Sequence, residues 1–193
     1  KQKAGIVLYL GTLIRKKGML ELAHIFNELI QKNTNCQLIL VGNDAKDAKT
    51  GRFTWEIFQE ELSAEATLKV TYLGVVDYNR MKELINEANV CVFRSLAESF
   101  GMVTIEAMAM QKPIVNTNYP WATEIVEDGE TGFLVDPKSH NEFAEKINLL
   151  LTDATLASNM AKKARQEAIK RFDIAKIAAQ NIAVYNSLVE AKS

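Results

Sequence analysis

Short apolar runs alternate with stretches of helical spacing along this chain, and that alternation limits its fold more than any other feature. Residues 4–10, 36–41, 68–73, 90–93, 113–116 and 133–135 are apolar and rich in β-branched side chains. They read as strands, buried on both faces where the run is continuous. Between them, 19–31, 53–64, 78–86, 100–110 and 141–151 read as helices, with a short helical piece at 122–126. Strand and helix in alternation, with short connections, predict a Rossmann-like α/β fold: a parallel six-stranded sheet with helices on both faces. Ligands of such sheets sit beyond the carboxyl ends of the strands. The polar or glycine-containing segments 11–18, 42–44, 73–77, 94–101 and 116–123 fall at those ends, so one cleft along one edge is expected. Residues 44–52 read as a mobile polar loop. This domain is expected to span 1–151. Residues 152–193 read as two long helices, 154–170 and 174–191, with Asp173 a fitting N-cap for the second. The stripe Ile174, Ile177, Ala178, Ile182, Tyr185 and Leu188 is expected to pack on the domain over its first part.

A chain of 193 residues suits one such domain with a sizeable core. Its net charge of −1 gives no basis for nucleic-acid binding. Cys36 and Cys91 lie in predicted strands and read as core hydrophobes. His24 and His140 have no ligand spacing and read as structural or surface residues, so no metal site is expected. No apolar run is long enough to span a bilayer, and no secretory leader is expected. Residues 1–3 run straight into a strand, as a piece cut from a longer protein would.

The most informative stretch is 89–110. A buried strand leads through a polar loop, 94–99, into a helix that is apolar nearly all round. Glu106 is the only charged residue between Phe100 and Met110. A lone carboxylate there is costly to bury unless something hydrogen-bonds it. A basic side chain from elsewhere would serve, and so would the vicinal hydroxyls of a ligand. Glu98 lies in the loop and Gly101 at the expected helix start, where free N–H groups and the helix dipole favour an anion. Two hydroxyl acceptors around an anion cradle suit a nucleotide-diphosphate sugar.

The block from Glu98 to Glu106 resembles the E-x7-E signature of retaining glycosyltransferases of the GT-B fold, glycosyltransferase family four. Further landmarks in the family's order are 11–18, Val41-Gly42, 113–115 and 124–132. The resemblance covers nearly the whole chain as the carboxyl-terminal, donor-binding half of such an enzyme. It implies that Glu98 meets donor-sugar hydroxyls and stabilises positive charge at the sugar carbon. Glu106 would hold the ribose, and the N–H groups of Gly101, Met102 and Val103 the diphosphate, with Ser99 and Phe100 alongside. Lys17 would neutralise the departing diphosphate. Gly11 and Thr12 would line the donor site, and backbone near Leu73 and Gly74 would meet the base. No cofactor or metal is implied. The donor would be a UDP- or GDP-hexose. The acceptor, a glycan or lipid-linked sugar, would bind through an amino-terminal domain, which the last helix is expected to touch. The setting would be cytoplasmic, at or near the inner membrane face, in polysaccharide assembly.

Two positions depart from the family pattern. Thr12 stands where many members carry an arginine, which leaves Arg15 or Lys16 as the replacement cation. Pro120 and Trp121 stand where many have a glycine pair, so Trp121 either restricts the sugar or packs. A nucleotide-binding module without catalysis, and a phosphorylase or epimerase relative, remain as alternatives. An oxidoreductase would need G-x-G-x-x-G after the first strand, and 11–18 does not supply it.

Overall fold

The computed structural model describes residues 5–190; the expectations for residues 1–4 and 191–193 lie outside it. The strands are β1 (Gly5–Leu10), β2 (Cys36–Val41), β3 (Val70–Tyr72), β4 (Val90–Phe93), β5 (Ile114–Thr117) and β6 (Phe133–Val135). They form one sheet in the order β3-β2-β1-β4-β5-β6, and every neighbouring pair is parallel. The helices are α1 (Met19–Lys32), α2 (Thr54–Glu60), α3 (Ala64–Thr67), α4 (Tyr78–Glu87), α5 (Met102–Ala109), α6 (Pro120–Thr123), α7 (His140–Thr152), α8 (Ala154–Phe172) and α9 (Ile174–Glu190).

The continuous apolar character of β1 follows from its place at the centre of the sheet. Side chains alternate across a strand, so Val7 and Tyr9 enter one core while Ile6, Leu8 and Leu10 enter the other. The first core is closed by α1 and α7, the second by α4, α5 and α8. Helix α1 buries Met19, Leu22, Ala23, Phe26, Leu29 and Ile30 at helical spacing. Cys36 and Cys91 are free and buried, one in each core.

Three expectations change. The helix expected over 53–64 is broken into α2 and α3, because Ser63 caps the second: its Oγ accepts from Ala66 N at 3.1 Å. Asn27 of α1 pins the break, donating to Glu61 O and accepting from Ser63 N, both at 2.8 Å. The helix expected from Phe100 starts at Met102, since Gly101 has φ 74°, outside the helical range. The loop 44–52 is fastened by bridges from Leu13 to Asp44 and from Lys46 to Phe53.

Helix α8 packs on α5 through Ala161, Ala164 and Ala168, small residues that allow close approach. Helix α9 does not follow it. Its stripe is exposed, Ile174 at 79 % and Tyr185 at 67 %, and only Ile177 is half-buried. The packing expected for the first part of the stripe is therefore confined to that one side chain. Removing residues 174–193 should lower the thermal midpoint by only about 2–4 °C. A drop of more than about 10 °C in a calorimetric scan would show that α9 supports the core.

Candidate functional site

Strand order reverses at β1 and β4: connections from β1 run outward through β2 to β3, while those from β4 run the other way through β5 to β6. The diverging loops leave a crevice there. After β1 the chain makes a 3-10 turn, Arg15–Lys17, closed by Gly18 at φ 71°. A Cβ on Gly18 would lie 2.0 Å from the carbonyl oxygen of Arg94. Only glycine permits both that conformation and that approach. Leu96 N then donates to Lys16 O at 2.8 Å, joining the two loops.

The result is a contact between residues 81 apart in sequence: Lys17 Nζ lies 2.5 Å from Glu98 Oε1. Ser95 Oγ donates to the same oxygen at 2.6 Å. The Lys17 and Glu98 side chains keep 24 % and 14 % of their surface exposed, so the pair is open to solvent and ligand. Behind it, Tyr9 OH donates to Thr12 O at 3.1 Å. Burial, with the negative charge of Glu98 adding to it, pushes the Tyr9 phenol's pKa up. The phenol therefore stays protonated and serves as a fixed donor. Gly11 leaves it room, since a Cβ there would sit 2.9 Å from the Tyr9 oxygen.

Sequence reasoning missed the polar network beneath this pair. Asn116 Nδ2 donates to Thr104 Oγ1 at 3.2 Å, its Oδ1 accepts from Thr117 N at 2.8 Å, and Thr117 Oγ1 donates to Ser95 O at 3.0 Å. It couples α5, β5 and the loop after β4. The one signal was the polar pair Asn116-Thr117 ending an otherwise apolar run. Arg94 is also new. It is 4 % exposed, donates through Nη2 to Pro137 O, and approaches Glu21 at 3.8 Å. Burial pulls its pKa down, with Glu21 opposing. His24 and His140, far apart in sequence, stack with centroids 5.5 Å apart.

Gly101 is the N-cap of α5, which leaves the N–H groups of Met102 and Val103 without intrahelical acceptors. Trp121 packs behind this start: a Cβ on Gly101 would be 3.1 Å from its ring. Trp121 thus packs against the helix start, with its indole Nε1 buried and without a hydrogen-bond partner among the described residues. Ser99 and Phe100 turn to a neighbouring hollow with Trp121 and Phe172, where Phe100 meets Phe172 edge to face at 5.9 Å.

Glu106 is half-buried and has no hydrogen-bond or ion-pair partner among the described residues. It lines a hollow of about 230 Å³ between α4 and α5, with Tyr78, Met81 and Lys82 of α4. Of the two readings for this carboxylate, the salt bridge is not the one found. Leu73 and Gly74 lie just past β3, where Gly42 N donates to Gly74 O at 2.9 Å; neither lines the Glu106 hollow. Arg15 is drawn away from the crevice: Nε and Nη2 donate to Asp47 at 2.6 and 3.0 Å. That fork holds the Asp47 carboxyl well below its usual range, at about 2. Lys16 is exposed and unpaired among the described residues.

Among the described residues no cluster of three or more His, Cys, Asp or Glu side chains could hold a metal, and no helix is long and apolar enough to cross a membrane.

A family model described as "Glycosyl transferases group 1" matches residues 1–167. The capsular polysaccharide biosynthesis glycosyltransferase CapM of Staphylococcus aureus is 28 % identical over 185 residues, covering 96 % of this chain and 47 % of that protein. Anabaena Alr3699/HepE, solved in complex with UDP and glucose, superposes with a TM-score of 0.83 at 26 % identity, over 96 % of this chain and 49 % of that one. The C-terminal domain of a glycosyl transferase group 1 family protein (LpcC) from Francisella tularensis shares the fold, with a TM-score of 0.75 at 21 % identity, over 89 % and 88 % of the two chains. The chain spans about half the length of the curated relatives it matches.

Burial pushes the Glu106 carboxyl's pKa up. A raised folded value means stability that is present below the unfolded pKa, about 4.3, and lost as pH rises through the folded one. Glu106→Gln should therefore melt slightly higher than the parent chain at pH 7.5. For a half-exposed group the gain should be under about 1 kcal/mol. The two should converge when melted near pH 4, and a Gln variant less stable at pH 7.5 would show an unseen partner.

Proposed function

The chain belongs to the glycosyl transferases group 1 family, and from that premise we propose that it is the nucleotide-sugar-binding half of a retaining glycosyltransferase. The observation that carries the reading is the Lys17–Glu98 pair at the switch point of the sheet. The two groups answer opposite charges on one substrate. When the bond between sugar and diphosphate breaks, negative charge grows on the phosphate oxygens and positive charge at the sugar carbon. Lys17 and the first-turn N–H groups of Gly101, Met102 and Val103 meet the first. The carboxylate of Glu98 meets the second and holds sugar hydroxyls.

The free pair supports this division. A partly exposed ion pair is worth about 0–1 kcal/mol, so an arriving diphosphate can draw Lys17 away cheaply. Ser95 still holds Glu98 Oε1, and the carboxylate stays aimed. Glu106 accepts from both ribose hydroxyls, which replace the water it lost on folding. UDP is the first candidate donor nucleotide, since HepE was solved with UDP. The hexose, the GDP alternative, an acceptor bound through a further domain, and peripheral membrane association belong to the same proposal. The exposed stripe of α9 suits contact with that domain.

One observation favours a second reading, a nucleotide-binding module without turnover. Thr12 supplies no cation and Arg15 is committed to Asp47, which leaves the exposed Lys16 as the replacement cation beside Lys17. Donor hydrolysis by the full-length protein separates the two readings.

Calorimetric titration with UDP, GDP and ADP should show selective binding of one nucleotide. Glu106→Ala should weaken it by about 10- to 100-fold, the scale of hydrogen bonds to a charged group. Equal binding of all three, or indifference to the substitution, would sink the ribose assignment. The isolated chain should turn over donor far more slowly than the full-length enzyme, and matching rates in a product assay would refute the half-site proposal.

A further inference from the structure

His24 and His140 take no part in the crevice, yet they meet where the helices that frame it begin. Their rings stack with centroids 5.5 Å apart and 22° between the planes. His24 is on α1, and His140 is the first residue of α7. Both are half-buried. The contacts between these two helices differ from end to end. At the far end Lys32 Nζ lies 3.6 Å from Glu145 Oε1, and Asn33 Nδ2 donates to Asn148 Oδ1 at 3.1 Å. At the near end stand the two imidazoles and a buried cation. Arg94 donates through Nη2 to Pro137 O, and its Nη1 approaches Glu21 at 3.8 Å. Glu21 is one turn before His24 on α1, and Pro137 is three residues before His140, so the guanidinium lies against the starts of both helices.

We infer that this stack is a proton-operated catch on the crevice: charging His140 parts the starts of α1 and α7 and releases the Lys17–Glu98 contact. A proton on His24 finds a counter-charge, because Glu61 Oε2 lies 3.5 Å from its Nε2. His140 forms no ion pair among the described residues. A proton there faces His24 across the stack, Arg94, and the positive end of α7 itself. Glu21 and Glu28 of α1 oppose these, and Glu21 is shared with Arg94. Asp136 and Tyr119, which follow β6 and β5, act on Arg94. Burial, with His24 and Arg94 adding to it, holds the His140 pKa below its usual range. A lowered histidine value means stability that is complete above the unfolded pKa, about 6.5, and lost as pH falls through the folded one.

The strain of that charge has one place to go. Lys32 with Glu145 and Asn33 with Asn148 hold the far end, so the helices part at the near one. Gly18 caps the start of α1 and lies against the carbonyl of Arg94. Lys17 precedes that contact on one loop, and Ser95, which holds Glu98, follows it on the other. A shift of α1 from Arg94 therefore separates the two loops. The Lys17–Glu98 pair is partly exposed, and a pair of that kind is too weak to resist. The catch acts whatever the crevice binds, so it stands apart from the proposed function.

The test is an NMR titration of this chain from about pH 8 to about pH 5, read at the histidine rings, the Gly18 amide and the Lys17 Cε. The His140 ring should titrate below the ordinary value of about 6.5, and Gly18 and Lys17 should shift with the same midpoint. The amides of Lys32 and Asn33 should stay still. His140→Phe keeps a ring against His24 and removes the charge. In that variant the inflection at Gly18 and Lys17 should vanish, and the fall in thermal midpoint on acidification should shrink by about 2–4 °C. His140→Gln removes the charge without a ring and should do the same, so poor folding of one variant leaves the other to decide. Shifts at Gly18 and Lys17 that persist in both variants would trace to another acid, such as Glu98, and overturn the catch. So would a His140 midpoint at or above about 6.5. Lys32 and Asn33 moving as far as Gly18 would mark general loosening and overturn it too.

Discussion

The α-carbon of Gly18 lies against the carbonyl of Arg94, with no room between them for a methyl group. That contact sets the spacing of the loops that follow β1 and β4. Lys17 immediately precedes it on one loop, and Ser95 immediately follows it on the other. With the loops at this distance, an ammonium and a hydroxyl reach one oxygen of Glu98. Were they an ångström or two further apart, Lys17 would be a solvated side chain and Glu98 a surface acid. The central position of β1 and β4 makes the spacing durable, because both strands are buried on both faces and cannot shift independently.

The electrostatics of the edge follow from which charges are matched and which are not. Arg15 and Asp47 cancel, and their work is structural: they tie the turn after β1 to the loop after β2. Lys17 and Glu98 are matched but exposed, hence exchangeable. Glu106 is unmatched and half-buried, and burial penalises its charge. Arg94 carries the heaviest load, with Nε and Nη1 buried and without hydrogen-bond partners among the described residues, Nη1 facing Glu21 at 3.8 Å. Such atoms cost free energy, and its one close acceptor is Pro137 O.

Much of this could be read from the chain itself. β2, β4 and β6 fall where their apolar runs end, because a strand buried on both faces leaves no ambiguity of period. Glu106 stood out for its apolar surroundings, Glu98 and Gly101 for their combination with it, and Lys17 only through the resemblance. What the one-dimensional pattern hid were pairings decided by the folded path. Nothing near Arg15 announces Asp47, 32 residues away, and nothing near Ser63 announces Asn27, whose amide helps break the expected second helix. His24 and His140 look unrelated until α1 and α7 bring their rings together. Phe100 reads as helix because its neighbours are apolar, yet the left-handed Gly101 excludes it. The left-handed conformation of a single glycine overrides the propensity of the residue before it.

The two carboxylates of the signature behave oppositely, and the difference bears on how the site works. Glu98 is satisfied in the free chain, so a ligand must displace Lys17 to use it fully. Glu106 is unsatisfied, so a ligand that donates to it gains an interaction without breaking one. On the proposed function, binding energy would be gained at the nucleoside end, in the hollow between α4 and α5, and partly spent at the sugar end, where Lys17 would leave Glu98 for the phosphates. An order in which the remote part of a substrate drives rearrangement at the reacting part is how binding energy is turned toward the transition state. It follows here from one carboxylate having partners and the other having none.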